Sequence, residues 1–181
     1  MTKTKIIIYL AVIFLGLLST ANFAKAADYY VATDGSDSNP GTISQPWRNI
    51  SYATCAGSYL CPIQTTNANK LKAGDTLYIR GGTYNEYGIR ITNSGAAGNP
   101  ITIKSYPGET AVIDGGFTTP SGRHPVFDID GVSYITLDGL TIKRGDTANV
   151  YVAYNGTTTN ITVKNCDLQD FVANDNSGHI Y

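Results

Sequence analysis

From about residue 28 onward, apolar and polar side chains alternate in short runs, and the runs recur. The clearest unit is Tyr134-Ile-Thr-Leu-Asp-Gly-Leu-Thr-Ile142, which returns 26 positions later as Asn160-Ile-Thr-Val-Lys-Asn-Cys-Asp-Leu168. Ile135 then matches Ile161, Leu137 matches Val163, Leu140 matches Cys166 and Ile142 matches Leu168. A period of two on both limbs predicts two short strands, each with one apolar face. Between the limbs Gly139 matches Asn165. Gly and Asn accept positive φ more readily than other residues, so a left-handed bend is expected there in both copies.

Related units precede this pair. Leu77 and Ile79 alternate before Gly81-Gly82, and Tyr84 opens a second limb. Gly88–Thr92, Ile101–Ile103, Ala111–Ile113, Val126–Asp130 and Val150–Tyr154 each read as a strand, and Gly178–Tyr181 resembles the start of another. The middle strands begin near Leu77, Ile101, Ile135 and Ile161, and the longest interval accommodates a loop over Gly115–Pro125. Three strands per turn, stacked turn on turn with loops at the corners, satisfy the pattern, and no helical period of any length separates the strands. The expected fold is all-β, a right-handed parallel β-helix. A β-sandwich, the main alternative, would place hairpin turns between neighbouring strands and would not repeat a bend residue.

One segment departs from the alternation. Ser44-Gln-Pro-Trp47 carries a capping serine and a proline in the first turn, so a short helix is expected from there to about Cys55. Its expected task is to cap the first coil, whose core and strand edges would otherwise be open.

The N-terminus has a different character. Lys3 and Lys5 precede a nearly unbroken apolar run, Ile6–Leu18, and Ala24-Lys-Ala26 follows. This order is that of a secretory signal peptide over 1–26, cleaved after Ala26, which leaves 27–181 as the β-helical region. An exported, secreted protein is therefore expected, with no membrane contact after cleavage. Of 13 basic residues, Lys3, Lys5 and Lys25 would be lost while all 14 acids remain, giving a mature net charge near −4. That balance does not suit nucleic acid. Cys55 and Cys61 flank a small loop and could bridge, whereas Cys166 falls on an inward position and reads as a buried thiol.

Three stretches carry a family resemblance. They are Tyr29–Thr42 with Pro46-Trp47, then Ala73-Gly-Asp-Thr-Leu-Tyr-Ile-Arg-Gly-Gly-Thr-Tyr84, then Gly98-Asn-Pro-Ile-Thr-Ile103 with Ile113-Asp-Gly115. Together they resemble the N-terminal region of exported β-helix proteins of the pectate-lyase-like superfamily, most of all family-nine pectate lyases, with chondroitinase B and alginate lyases as more distant relatives. The resemblance implies cleavage of an acidic polysaccharide by β-elimination. In that chemistry calcium held by aspartates acidifies the proton beside a uronate carboxylate, and a Lys or Arg removes it. It also implies further coils beyond this chain, with the catalytic base on one of them, so the stretch is read as the N-terminal part of a longer, monomeric protein. A non-catalytic carbohydrate-binding protein and a β-helix glycoside hydrolase are the alternatives.

The alternation assigns outward positions. Phe127 and Ile129 point in, so Asp128 and Asp130 point out; Arg90 points out of Gly88–Thr92. Aligning Gly131 with Gly156 puts Val152 and Tyr154 inward, with Tyr151, Ala153 and Asn155 outward. His179 and Tyr181 follow as outward residues of the last strand. If the coils register, Arg90, Asp128, Asp130, Tyr151, Asn155, His179 and Tyr181 share one face, a mixture of rings and polar groups suited to a sugar chain. Arg90 and His179 are the candidate bases there. Asp128 and Asp130 could bind calcium, act as a glycosidase acid pair, or simply be solvated. Asp167, Asp170 and Asp175 form the densest oxygen-ligand patch and are the leading calcium candidates, although an ordinary turn would look the same. Lys143 and Arg144 could meet a uronate carboxylate or form a solvated corner.

Overall fold

The computed structural model describes residues 25–55, 71–119, 121–122, 124–153, 157–170 and 172. The chain opens with β1 (Asp28–Val31) and the short helix α1 (Ile50–Thr54), and every later element is a strand. One coil consists of β2 (Thr76–Ile79), β3 (Gly82–Tyr84) and β4 (Ile89–Arg90). The next consists of β5 (Ile101–Ser105), β6 (Ala111–Asp114) and β7 (Phe127–Ile129). The third is β8 (Ser133–Asp138), β9 (Thr141–Lys143) and β10 (Val150–Val152), and β11 (Thr159–Lys164) with β12 (Asp167–Gln169) begin a fourth. Three parallel sheets result. The first runs β1-β2-β5-β8-β11, the second β3-β6-β9-β12 and the third β4-β7-β10. This is the expected parallel β-helix with three strands per turn.

Register turns the alternation into columns. Leu77, Ile103, Leu137 and Val163 stack inside the first sheet, at steps of 26, 34 and 26 residues. The partner of Leu77 is thus Ile103, one inward position further along than the sequence spacing suggested. Tyr84, Ile113, Ile142 and Leu168 form the column of the second sheet, and Ile89, Phe127 and Val150 that of the third. The inward residues of the middle coils are fully buried and make one continuous apolar core.

The bends also repeat in register. Gly139 has φ 69° and Asn165 φ 54°, so both bends are left-handed as expected. Two further pairs share this property: Tyr134 (φ 57°) lies one coil below Asn160 (φ 56°), and Arg144 (φ 52°) below Asp170 (φ 49°).

The N-terminal end is closed. Tyr29 stacks on Trp47 with centroids 5.0 Å apart, and Trp47, Ile50, Tyr52, Ala53 and Leu71 join the core. The helix lies against β4, where Thr92 donates to the Thr54 carbonyl, so α1 occupies the place of an earlier strand of the third sheet. It starts later than the Ser-x-Pro signal suggests. Trp47 is held extended because its N–H donates to Tyr30 O and its carbonyl accepts from Ala32 N. Ile50 N and Ser51 N, together with Ser51 Oγ, instead donate to the buried Glu86 carboxylate (2.7–3.0 Å).

At the other end the inward residues Val152, Val163 and Leu168 are 39–41% exposed. With Val150, Ile161 and Cys166 they line an open apolar hollow of ≈ 500 Å³. Cys166 is a free thiol at an inward position, but half-buried rather than buried as expected, and burial pushes its pKa up. Cys55 is disulfide-bonded; Cys61 lies outside the described residues, as do 1–24 of the signal-like segment.

Candidate functional site

The outer face of the third sheet carries four of the residues expected there, Arg90, Asp128, Asp130 and Tyr151. Arg90 pairs in register with Asp128, and Asp128 with Tyr151, so the three form one outward column. Alternation along β7 places Asp130 beside them. The Arg90 guanidinium donates to both acids, Nη1 to Asp128 Oδ2 at 2.9 Å and Nη2 to Asp130 Oδ2 at 3.2 Å. One planar cation thus bridges two carboxylates across adjacent coils, a geometry that guanidinium suits better than ammonium. A uronate carboxylate reaching this face would find donors already turned outward, and would compete with Asp128 for them. Val152 is inward, as expected. Ala153, expected to point out, is buried, its N–H donating to Ile129 O. Asn155, His179 and Tyr181 lie outside the described residues.

Asp128 and Asp130 share Arg90, so a cation there would have to displace a guanidinium. Asp167 begins β12 and accepts from Gln169 Nε2, and Asp170 sits at a left-handed corner. Asp175 lies outside the described residues. Among the described residues no three His, Cys, Asp or Glu side chains converge as metal ligands.

Lys143 and Arg144 are engaged rather than solvated. Arg144 Nε and Nη2 donate to the two oxygens of Asp114 at 2.7 and 2.6 Å, and Lys143 Nζ lies 3.6 Å from Asp114 Oδ2. Asp114 is buried, and the Arg144 hydrogen bonds hold its carboxyl below the usual range. The signal was available: Asp114 falls in register with Lys143 once β6 and β9 are aligned.

The outer face of the first sheet holds polar chemistry that strand patterning did not single out. Tyr30, Tyr78, Lys104, Asp138 and Lys164 form one outward column. Tyr30 and Tyr78 stack at 5.3 Å, and Tyr106 meets Tyr78 edge-on at 5.9 Å. Arg80 lies over the Tyr106 ring at 4.7 Å while donating to Glu109. Further along, Asp138 accepts from Asn165 Nδ2 at 2.8 Å and sits between Lys104 and Lys164 at 3.7 and 3.6 Å. That hydrogen bond, with the two lysines, lowers its pKa. Rings at one end and alternating charges at the other make this a self-paired face.

The chain's relatives agree with this architecture. Residues 29–180 match the family model described as the Pel9A-like, right-handed beta-helix region. The chain is 41% identical over 91 residues to pectate lyase PEL9 of Emericella nidulans, covering 50% of this chain and 19% of the fungal protein. It is 29% identical over 169 residues to the uncharacterized protein YwoF of Bacillus subtilis, covering 89% of this chain and 33% of that protein. The crystal structure of pectate lyase Pel9A superposes with a TM-score of 0.56 at 21% identity, over 77% of this chain and 32% of that one, a likeness of fold. The chain thus spans about a third or less of the length of each. A stacked three-sheet coil, register-paired bends and a family match over 29–180 lead to one assignment: the chain belongs to the Pel9A-like right-handed β-helix family.

Proposed function

We propose that this chain is the N-terminal β-helical part of an exported polysaccharide lyase acting on acidic, pectate-like glycans. The observation that carries the reading is the 41% identity to a protein named as a pectate lyase. The Arg90–Asp128–Tyr151 column supports it. Parallel strands set successive outward side chains about 4.8 Å apart, and such a ladder suits a repeating polymer. In β-elimination a base takes the proton beside the uronate carboxylate. The electron pair forms a carbon–carbon double bond, and the glycosidic oxygen leaves and is protonated. In this reading the chain's own residues bind and orient: Arg90 receives a uronate carboxylate in exchange for Asp128, and Tyr151 offers a ring beside it. Calcium belongs to the proposal through the resemblance alone. Among the described residues no three acids converge as ligands for it. The basic, apolar, A-x-A order of 1–26 supports export of the same protein.

The second reading is a glycan-binding β-helix without catalysis. The pairing of Arg90 with two carboxylates favours it, since a guanidinium so held is poised to grip rather than to accept a proton. Incubation with polygalacturonate, alginate and chondroitin, with calcium and then with chelator, separates the readings. A calcium-dependent rise in the ultraviolet absorbance of an unsaturated uronate product on one polymer is the expected result. New reducing ends without that absorbance would indicate a hydrolase. Retained glycan binding with neither signal overturns the lyase and leaves the binding protein.

A further inference from the structure

The longest coil owes its extra residues to the loop between β6 and β7, and that loop builds a cluster at the corner leading into the third sheet. Phe117 and His124 come from the loop, and Tyr87 from the chain just ahead of β4. The Phe117 and His124 rings stack at 5.5 Å and 12°. Tyr87 meets Phe117 edge-on at 4.9 Å and His124 at 5.7 Å. Behind the imidazole lies Asp146, whose side chain is 0% exposed. Its carboxylate faces His124 Nδ1 at 3.2 Å, and accepts Ser121 N at 2.8 Å and Ser121 Oγ at 3.3 Å. The Asp146 N–H returns to the His124 carbonyl at 3.1 Å. A carboxylate accepts, so Nδ1 is the nitrogen that donates to it, and in that tautomer Nε2 is the acceptor at the rim. Neither Nε2 nor the Tyr87 hydroxyl has a partner among the described residues.

A cluster that served only to pin the loop would turn its rings in and its polar groups out. Here the order is reversed. The carboxylate is covered, while the His124 side chain is 45% exposed and Tyr87 42%. Rigid rings held at the surface by a buried polar anchor, with one acceptor and one hydroxyl at the rim, match the two sides of a sugar: a C–H face and a fringe of hydroxyls. We propose that Tyr87, Phe117 and His124 form a subsite for one pyranose ring of a glycan, with a sugar hydroxyl donating to His124 Nε2. The proposal rests on the glycan reading above. Tyr87 precedes β4 and His124 precedes β7, so the subsite borders the outer face that carries Arg90 and Asp128.

Titration calorimetry of the full chain with hexagalacturonate tests it, with thermal melts run alongside. Tyr87→Ala and Phe117→Ala should each weaken binding about tenfold, the scale of one lost stacking contact. His124→Phe keeps a ring, removes Nε2 together with the Nδ1 donor to Asp146, and should weaken binding about threefold, the scale of one modest hydrogen bond, with its melt reporting the lost anchor. Tyr87→Ala leaves the Asp146 anchor intact, so its melt should stay close to wild type even if Phe117→Ala unfolds the loop. Affinity within twofold of wild type in Tyr87→Ala and His124→Phe, while Arg90→Ala loses it, overturns the subsite and leaves the glycan reading standing. Wild-type protein that binds no hexagalacturonate overturns both.

Discussion

Two acids with opposite electrostatics show what each residue contributes. Asp114 is held below its ordinary pKa, chiefly by the Arg144 hydrogen bonds. Its stabilising contribution is therefore complete above the ordinary value and is lost as pH falls beneath it. Glu86 is pushed above its ordinary value by burial, against the opposing pull of the Ser51 and Ile50 donors. Its contribution is complete below the ordinary value and declines as pH rises through the folded value. The wild-type advantage in Tm over Asp114→Asn should thus shrink between about pH 5 and about pH 3. The advantage over Glu86→Gln should instead grow as pH is lowered through the raised value toward the ordinary one. Glu86→Gln also turns an amide donor toward either the Ile50 or the Ser51 donors, a loss of about 1–3 kcal/mol at neutral pH by urea unfolding. Alternation in the sequence was enough to say that Arg90, Asp128, Lys143 and Arg144 leave the core. It could not say whom they meet, because each partner lies roughly a coil away and pairing depends on register.

The bends are where elements are specified, and here the sequence was most legible. Gly139 and Asn165 stand out because they break identical alternating limbs, and both adopt the left-handed conformation. Gly139→Ala should cost about 1 kcal/mol by urea unfolding, since a Cβ strains φ 69°. Gly139→Asn should cost less, because Asn165 already holds the equivalent place one coil on. The left-handed Tyr134 and Arg144 were not legible, as neither residue type signals positive φ. The helix start was misread for a related reason. Ser44 and Pro46 are local signals, and the extended pairing of Trp47 with β1 overrides them; the donors at the true start are satisfied by Glu86, 36 residues on.

Across the whole molecule, stability follows position in the stack. Ile103 is fully buried between Leu77 and Leu137, so Ile103→Ala should cost about 2–5 kcal/mol by chemical denaturation. Val163 belongs to the same column but is 41% exposed in the last described coil, and in this chain Val163→Ala should cost about 1 kcal/mol or less. The fold class was legible because a solenoid repeats its own evidence. The corner cluster of Tyr87, Phe117 and His124 was not, because Phe117 and His124 lie in the one interval that departs from the repeat and Tyr87 meets them from the coil before.

That repeat bears on inheritance. Ser133–Lys143 and Thr159–Gln169 superpose in register, bends included. Within a strand, gaining or losing a single residue exchanges inside for outside along the rest of the limb. Gaining or losing 26 residues as a block keeps each column aligned, because that is the distance from Leu137 to Val163. Length in this lineage should therefore change in whole coils, and smaller insertions should survive only at corners, where the 115–125 loop already sits.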